Sequence, residues 1–189
     1  MSEIAVSRER AVELLHQHVQ ADNLRKHCLA TEAIMRRLAG HFGEDEHDWA
    51  VVGLLHDLDF EQTKDAPDKH GLHTAEVLRA EGLDEKFIRA IQEHNAEGLG
   101  GQRTTRLGIA LAAAETITGL IVATALVYPD KKLASVKASS VLKRMKAKDF
   151  ARAVDRGVIQ ECERIGFELP AFVALSLEAM QSIAGELGL

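Results

Sequence analysis

Apolar residues recur at three- and four-residue spacing along almost the whole chain, and strictly alternating runs of apolar and polar residues are absent. This period places the apolar side chains on one face of each helix, so the pattern predicts an all-α fold of about eight or nine helices. Ser7, Asp22 and Asp84 each precede a periodic segment. They are predicted N-caps, because their side-chain oxygens can accept hydrogen bonds from the free N–H groups of a first turn.

Three of the predicted helices carry a histidine on or beside their apolar face. The second helix of the chain includes His27, and a helix over residues 45–57 ends in the adjacent pair His56 and Asp57. A later helix includes His94 within its apolar stripe. Because an apolar stripe faces the core of a globular protein, we expect these imidazoles to point inward.

The segment LDFEQTKDAPDKHG, residues 58–71, interrupts the helical period. Pro67 and Gly71 favour turns, so this stretch, which includes His70, is predicted to be a loop. A short helix is predicted to follow it, up to Gly82.

A long apolar helix is predicted from about Thr105 to Val127, and Pro129 prevents its continuation. Its length also suits a membrane span, and it carries the single carboxylate Glu115 at its centre. A carboxylate at the bilayer centre is costly and no second apolar span exists, so we predict a buried core helix instead.

The remainder of the chain is predicted to form three more helices, over residues 136–145, 149–165 and 170–187. A chain of 189 residues with 46% apolar residues is long enough for one domain with a sizeable core. We expect residues 1–128 to form the domain core and residues 129–189 to form a helical C-terminal extension packed on the same domain. The apolar side chains of the last helix suit either that packing or a homodimer.

The formal net charge of −6 argues against nucleic acid or an anionic membrane as a partner. The two cysteines, Cys28 and Cys162, lie in apolar helical segments and are expected to be free thiols. The N-terminal residues contain no apolar stretch of the kind that a signal peptide needs, so a cytoplasmic location is expected.

Positive charge is concentrated between residues 131 and 148. In an acidic protein such a segment is either a solvated helix face or a surface that attracts an anionic substrate. Arg103 and Arg106 precede the helix of Glu115 and leave two interpretations open, helix capping and phosphate binding.

One explanation accounts for all the inward or loop-facing polar groups: a metal centre built from several helices. The candidate ligands are His27, His56, Asp57, His70, His94 and Glu115. A carboxylate such as Glu115 in an apolar stripe loses hydration unless it is paired or bound to a cation. Neutral imidazoles together with carboxylates suit Mn, Fe, Ni, Co or Zn, so a divalent transition metal, as one or two ions, is the predicted cofactor.

The order of these groups resembles that of the HD domain phosphohydrolase family, in which a lone His is followed by an HD pair, two further His and a late Asp. The matching segments are NLRKHCLATE, GLLHDLD, HGLHTAEVL, AIQEHN and AAETITG, and they lie between about residues 20 and 125. Glu115 stands where the family has Asp, and the lysine of the family's HDIGK variant has no match after the pair. His73, beside the matching His70, is expected to lie on the surface.

The resemblance implies an HD-domain helical bundle and a metal-dependent phosphohydrolase that acts on a small phosphorylated or nucleotide substrate through a metal-activated water. If two ions bind, Asp57 would bridge them, with His27, His56 and Glu115 on one ion. His70 and His94 would hold the other ion. If one ion binds, His70 and His94 are free to contact the substrate phosphate or to protonate the leaving oxygen, which makes them catalytic together with Asp57.

Two alternatives remain open at the level of the sequence. The longer side chain of Glu115 can leave a weak or empty site, in which case the chain is a noncatalytic ligand-sensing or regulatory module. Some HD relatives use a di-iron centre for oxidation, so an HD-type oxygenase is the second alternative.

Overall fold

The computed structural model describes residues 4–189, and the described part is built from α-helices and two short 3₁₀ turns, with no strand. This confirms the predicted all-α fold. The helices are α1 Arg8–His18, α2 Asp22–Phe42, α3 Glu46–Leu55, α4 Phe60–Thr63, α5 Leu72–Ala80, α6 Glu85–His94, α7 Arg106–Leu126, α8 Ala138–Met145, α9 Arg156–Gln160, α10 Leu169–Ser182 and α11 Ala184–Leu187. The 3₁₀ turns are Leu133–Ser135 and Glu161–Ile165.

Side-chain caps fix several helix starts. Ser7 accepts a hydrogen bond from the backbone N–H of Arg10, and Asp84 accepts one from Lys86, as their positions predicted. The prediction for Asp22 was wrong, because Ala21 is the N-cap of α2 and Asp22 is its first helical residue. An acidic residue in the first turn still interacts favourably with the positive end of the helix dipole.

The predicted helix over residues 149–165 is interrupted, which corrects that prediction. Ala151 has a φ of 46° in a turn, and α9 begins only after the N-cap Asp155. The guanidinium group of Arg156 donates hydrogen bonds to the carbonyl oxygens of Ala151 and Val154, at 2.7 and 2.6 Å. These bonds satisfy carbonyl groups that a continuous helix would have paired internally.

The predicted loop over residues 58–71 contains one helical turn, α4, and α3 ends at Leu55 rather than at residue 57. His56 is the C-cap of α3, so the His56-Asp57 pair lies at the point where the chain leaves the helix. The backbone therefore turns at the two residues that the sequence singled out for chemistry.

The helices α2 and α3 approach closely at Gly53. A Cβ atom at this position would lie 3.0 Å from the carbonyl oxygen of Thr31 and 3.1 Å from the Cα of Glu32, both in α2. Only glycine allows this separation without movement of a helix. The close approach brings the His27 region of α2 beside the end of α3.

The helix α7 runs through the centre of the molecule and contacts α2, α3, α6, α8, α9 and α10. Three consecutive alanines, Ala112 to Ala114, are fully buried, and such small side chains let neighbouring helices approach. Among the described residues α7 is the one helix long and apolar enough to cross a membrane, but 67% of its most apolar window is buried inside the protein. Core packing therefore accounts for its composition.

The C-terminal helices cover the other side of this core. α10 contacts α2, α7 and α8, and α11 contacts α2. Phe172, Leu177 and Met180 are buried by these contacts, so packing within the chain already removes from water most of the apolar surface of α10.

Candidate metal centre

The six predicted ligands come from five different places in the chain. Three lie on helices: His27 on α2, His94 at the end of α6 and Glu115 on α7. The others are His56 and Asp57 after α3 and His70 immediately before α5. The packing of α2, α3, α6 and α7 brings all six to one region.

The carboxylate of Asp57 is at the centre of this cluster. Its Oδ1 lies 3.1 Å from Nε2 of His70, 3.5 Å from Nε2 of His56 and 3.5 Å from Nε2 of His94. Its Oδ2 lies 3.6 Å from Nε2 of His27. The same ring nitrogen of all four histidines therefore points at one carboxylate.

The other ring nitrogen of each histidine faces an acceptor outside the cluster. Nδ1 of His56 lies 2.8 Å from the carbonyl oxygen of Gly53, and Nδ1 of His94 contacts the carbonyl oxygen of Ile91. A backbone carbonyl can only accept, so both Nδ1 atoms carry the proton and both Nε2 atoms keep a lone pair.

Side-chain acceptors fix the other two imidazoles in the same way. Nδ1 of His27 lies 2.9 Å from Oγ1 of Thr118, whose own hydroxyl donates to the carbonyl oxygen of Glu115. Nδ1 of His70 lies 2.8 Å from Oδ1 of Asp59. Such outward hydrogen bonds are the usual support of metal-binding histidines.

Asp59 is fully buried and accepts several hydrogen bonds besides that of His70. The backbone N–H of Gly71 donates to both carboxylate oxygens, at 3.1 and 2.9 Å, and the N–H of Thr74 donates to Oδ2 at 3.0 Å. Burial alone would raise the pKa of Asp59, but these bonds and the one from His70 hold that pKa below its ordinary value. These buried contacts let Asp59 orient the imidazole of His70.

Two groups of three ligand atoms are close enough to hold an ion each. One group is His27, His56 and Asp57, the other is Asp57, His70 and His94, and Asp57 belongs to both. Glu115 is outside these two groups, with its Oε2 3.9 Å from Nε2 of His27. The donor set of imidazole nitrogens and carboxylate oxygens fits one or two divalent transition metal ions.

Burial and neighbouring charge set the protonation of the cluster. Burial lowers the pKa of His56 to about 3, so its ring is neutral near pH 7. Burial acts to raise the pKa of Asp57, yet the surrounding imidazoles hold it well below its ordinary value. Burial raises the pKa of Glu115, for which a bound cation would be the compensating charge.

An open cleft of about 820 Å³ leads from solvent to the cluster. His27, Asp57, His94 and Glu115 line it, whereas His56 and His70 lie behind them and do not. Its other ionisable lining residues in the described part of the chain are acidic, Glu97 and Asp155. The cleft therefore offers an anion no lysine or arginine.

The basic residues that sequence analysis singled out lie elsewhere. Lys143 and Arg144 line a separate cavity near Tyr128, beyond the C-terminal end of α7. Arg103 is buried and paired with Glu97 and Glu161, and its guanidinium donates a hydrogen bond to the carbonyl oxygen of His94 at 3.1 Å. It holds the end of α6 in place.

Arg106 forms an ion pair with Glu44 at 3.2 Å, outside the cleft. His73 is exposed and 3.2 Å from Glu76. The surface position expected for His73 is thus observed.

Sequence analysis missed two residues of the site. Thr118 supports His27, and its position one helical turn after Glu115 on the same stripe was the available signal. Phe60 lines the cleft and packs edge-on against the ring of His70, with centroids 5.4 Å apart. Nothing in its local sequence distinguishes it from an ordinary apolar residue.

Comparison with known proteins identifies one family and several partial relatives, two of which are described here. The family model described as the HD domain matches residues 24–124. The chain is 26% identical over 149 residues to a tRNA (cytidine(56)-2'-O)-methyltransferase of Thermoplasma volcanium, covering 77% of this chain and 43% of the relative. It is 29% identical over 106 residues to an uncharacterised protein of Methanocaldococcus jannaschii, covering 53% of this chain and 61% of the relative. The chain thus spans about half the length of these relatives, and no solved structure gives a significant match.

Proposed function

This chain belongs to the HD domain family, and we propose that it is a metal-dependent phosphohydrolase that acts on a small phosphorylated or nucleotide substrate. The HD domain is typical of metal-dependent hydrolases that bind divalent metals. The proposal goes further and names a phosphate ester as the substrate. The five ordered motifs support this, because they resemble those of the phosphohydrolases of the family.

One observation carries the proposal: four Nε2 lone pairs converge on the buried carboxylate of Asp57 while every Nδ1 faces an outward acceptor. In the absence of a cation, protons must take its place among these atoms. Burial acts to lower the pKa of His70, but its bonds to Asp57 and Asp59 raise that pKa to about 9. Two Nε2–Nε2 distances, 3.2 Å between His27 and His56 and 2.9 Å between His70 and His94, each require a proton or a cation between the two atoms. A bound cation would replace these protons and satisfy all four Nε2 atoms and the carboxylate of Asp57 at once.

When bound, the metal supplies Lewis-acid polarisation of a phosphoryl oxygen and lowers the pKa of a coordinated water. The residues of the chain hold and orient the reactants. His27, His56 and Asp57 form one set of ligands, and Asp57 with His70 and His94 forms the other. Asp59 and Thr118 keep His70 and His27 in the tautomer that leaves Nε2 available.

His94 is more accessible to a substrate than His70 is. His94 lines the cleft, whereas His70 does not. If a single ion binds at His27, His56 and Asp57, we assign the contact with phosphate or leaving oxygen to His94 and a supporting role to His70. The acidic lining of the cleft implies that an anionic substrate binds only to the metal-loaded protein.

The methyltransferase relative gives no ground for proposing methyl transfer. The alignment covers less than half of that protein. The activity in its name therefore cannot be assigned to this chain. The HD-type hydrolase chemistry rests on residues that this chain contains.

The test is metal content per chain, measured by elemental mass spectrometry on protein purified without chelating resin and then reconstituted with Mn, Fe, Ni, Co or Zn. We expect one or two ions per chain in the native protein and their loss in Asp57→Ala. His70→Ala and His73→Ala form a matched pair, because they remove imidazoles three residues apart, just before and within the first turn of α5, but only His70 faces the cluster. Equal metal content in these two variants would refute an ion at Asp57, His70 and His94, and no metal in any reconstituted sample would refute the metal centre as a whole.

Activity separates the hydrolase from its two alternatives. Phosphate release from small phosphomonoesters that depends on added metal and disappears in Asp57→Ala supports the proposal. Oxygen uptake together with visible absorbance in the iron-loaded protein would instead indicate an oxygenase. A gain of both metal affinity and activity in Glu115→Asp would identify the native site as a degenerate one and support the noncatalytic module.

A further inference from the structure

A second cavity, of about 370 Å³, adjoins the metal cleft between α2, α7 and the C-terminal helices. His27 and Thr118 line both spaces, as do Asn23 and Gly119. The two cavities therefore adjoin at the imidazole that faces the metal cluster. A ligand held at the cluster would lie next to the second cavity.

The far part of this cavity is apolar. Its lining there consists of Val122, Ala123, Leu126, Met180, Leu187 and Leu189. The lysine at its rim, Lys26, is already paired with Asp22 at 2.9 Å. Leu126, the last residue of α7, is 49% exposed at this cavity.

Such a lining discriminates between classes of substrate. A purine or pyrimidine base carries several ring nitrogens and exocyclic groups that would find few partners beyond Asn23 and Thr118, and an unpaired polar group in an apolar pocket lowers affinity. A hydrocarbon chain or an unsubstituted ring needs no partners and gains from removal from water.

We propose that this cavity binds the apolar part of the substrate, so that the protein acts on phosphate monoesters of an alkyl or aryl alcohol in preference to nucleotides. The inference rests on the proposed phosphoester chemistry of the neighbouring metal centre. The cavity holds roughly twelve groups of the size of a water molecule, at about 30 Å³ each, which sets the length of the chain it accommodates.

The test is the affinity of a series of nonhydrolysable phosphonates for the manganese-loaded full chain, measured by isothermal titration calorimetry. Methyl-, butyl- and octylphosphonate share one headgroup and differ in apolar length. We expect Kd to fall with each added methylene, by about fourfold at most, because each buried methylene contributes about 0.8 kcal/mol. Adenosine monophosphate should bind at least tenfold more weakly than octylphosphonate.

Ala123→Leu fills the cavity, and Ala80→Leu is its matched control at an exposed position on α5 outside both cavities. The affinity ratio of octyl- to methylphosphonate should fall at least tenfold in Ala123→Leu and stay unchanged in Ala80→Leu. Met180→Ala enlarges the cavity and should shift the preference toward longer chains. Circular dichroism of each variant verifies that the fold is retained.

Two results with the phosphonates would overturn the inference: affinity independent of chain length in the native protein, or the same dependence on chain length in native protein and Ala123→Leu. Tighter binding of adenosine monophosphate than of octylphosphonate would also overturn it. Failure of the hydrolase proposal looks different, because then binding depends on chain length while octyl phosphate is not hydrolysed. Hydrolysis of phosphate esters without any effect of chain length would leave the hydrolase proposal intact and remove only the apolar pocket.

Discussion

Replacement of Asp59 by Asn tests whether a buried carboxylate sets the tautomer of His70. The two oxygens of Asp59 accept hydrogen bonds from His70 Nδ1 at 2.8 Å, from the N–H of Gly71 at 3.1 and 2.9 Å and from the N–H of Thr74 at 3.0 Å. Asparagine has almost the same shape but only one acceptor oxygen, so one of these donors must face the new amide NH₂ group.

The magnitude follows from the two possible orientations of the amide. If the NH₂ group faces Thr74, a buried backbone N–H loses its partner at a cost of about 1–3 kcal/mol, and a charge-assisted bond worth about 1.5–3 kcal/mol is lost as well. If it faces His70, the imidazole must move its proton to Nε2 and can no longer offer that atom to a metal. If the NH₂ group faces Thr74, we expect the unfolding free energy to fall by about 3–5 kcal/mol. In both orientations we expect a 10- to 100-fold loss of metal affinity.

The assay combines urea unfolding of the metal-free protein with calorimetric titration of Mn²⁺ into the folded protein. Asp84→Asn is the matched control, because Asp84 is an exposed N-cap and Asn caps a helix equally well. That control should change the unfolding free energy by less than about 0.5 kcal/mol. If Asp59→Asn unfolds and binds Mn²⁺ like the control, Asp59 does not orient His70.

Three further variants or reactions probe the helix contacts and the buried groups. Thr118→Val removes the acceptor of His27 Nδ1 and should weaken Mn²⁺ binding about tenfold by calorimetry, whereas Thr118→Ser should retain native affinity. Gly53→Ala places a Cβ atom 3.0 Å from a carbonyl oxygen of α2, and we expect it to lower the urea unfolding free energy by about 1–3 kcal/mol. Cys28 and Cys162 are buried, and burial raises the pKa of Cys162 to about 12, so neither thiol should react with Ellman's reagent at pH 8 before unfolding.

Each of these predictions has its own control. Gly185→Ala adds a Cβ atom with no neighbour within 4 Å and should leave stability unchanged or raise it. Reaction of a thiol in the folded protein would contradict the buried positions of the cysteines, and both thiols should react in denaturant. Equal Mn²⁺ affinity of Thr118→Val and Thr118→Ser would show that the hydroxyl of Thr118 does not orient His27.

The sequence determined the helical class of the protein and several helix ends, because these depend on interactions between residues close together in the chain. The period of the apolar residues predicted α2, α3, α6 and α7, and the caps Ser7 and Asp84 lie where their positions predicted. It also marked the six polar residues that the structure brings together, although their binding of a metal stays a prediction.

Local pattern was insufficient where side chains from elsewhere satisfied the backbone. The break between residues 149 and 155 depends on Arg156, whose guanidinium bonds carbonyl oxygens of the preceding turn, and apolar periodicity contains no information about such bonds. The N-cap of α2 is Ala21 rather than Asp22, a difference of one residue. Capping preferences do not locate the start of a helix to within one residue.

Only the tertiary structure decided how the marked residues meet. The contact between His27 and Thr118 joins positions 91 residues apart, and the contact between Arg103 and Glu161 joins positions 58 residues apart. The packing of α2, α3, α6, α7 and α10 decides which ring nitrogen of each histidine faces the cluster. It also places His94 in the cleft, His70 behind it and the apolar cavity beside His27. Such packing depends on the shapes of whole helix faces in three dimensions, which the order of residues along one face does not specify.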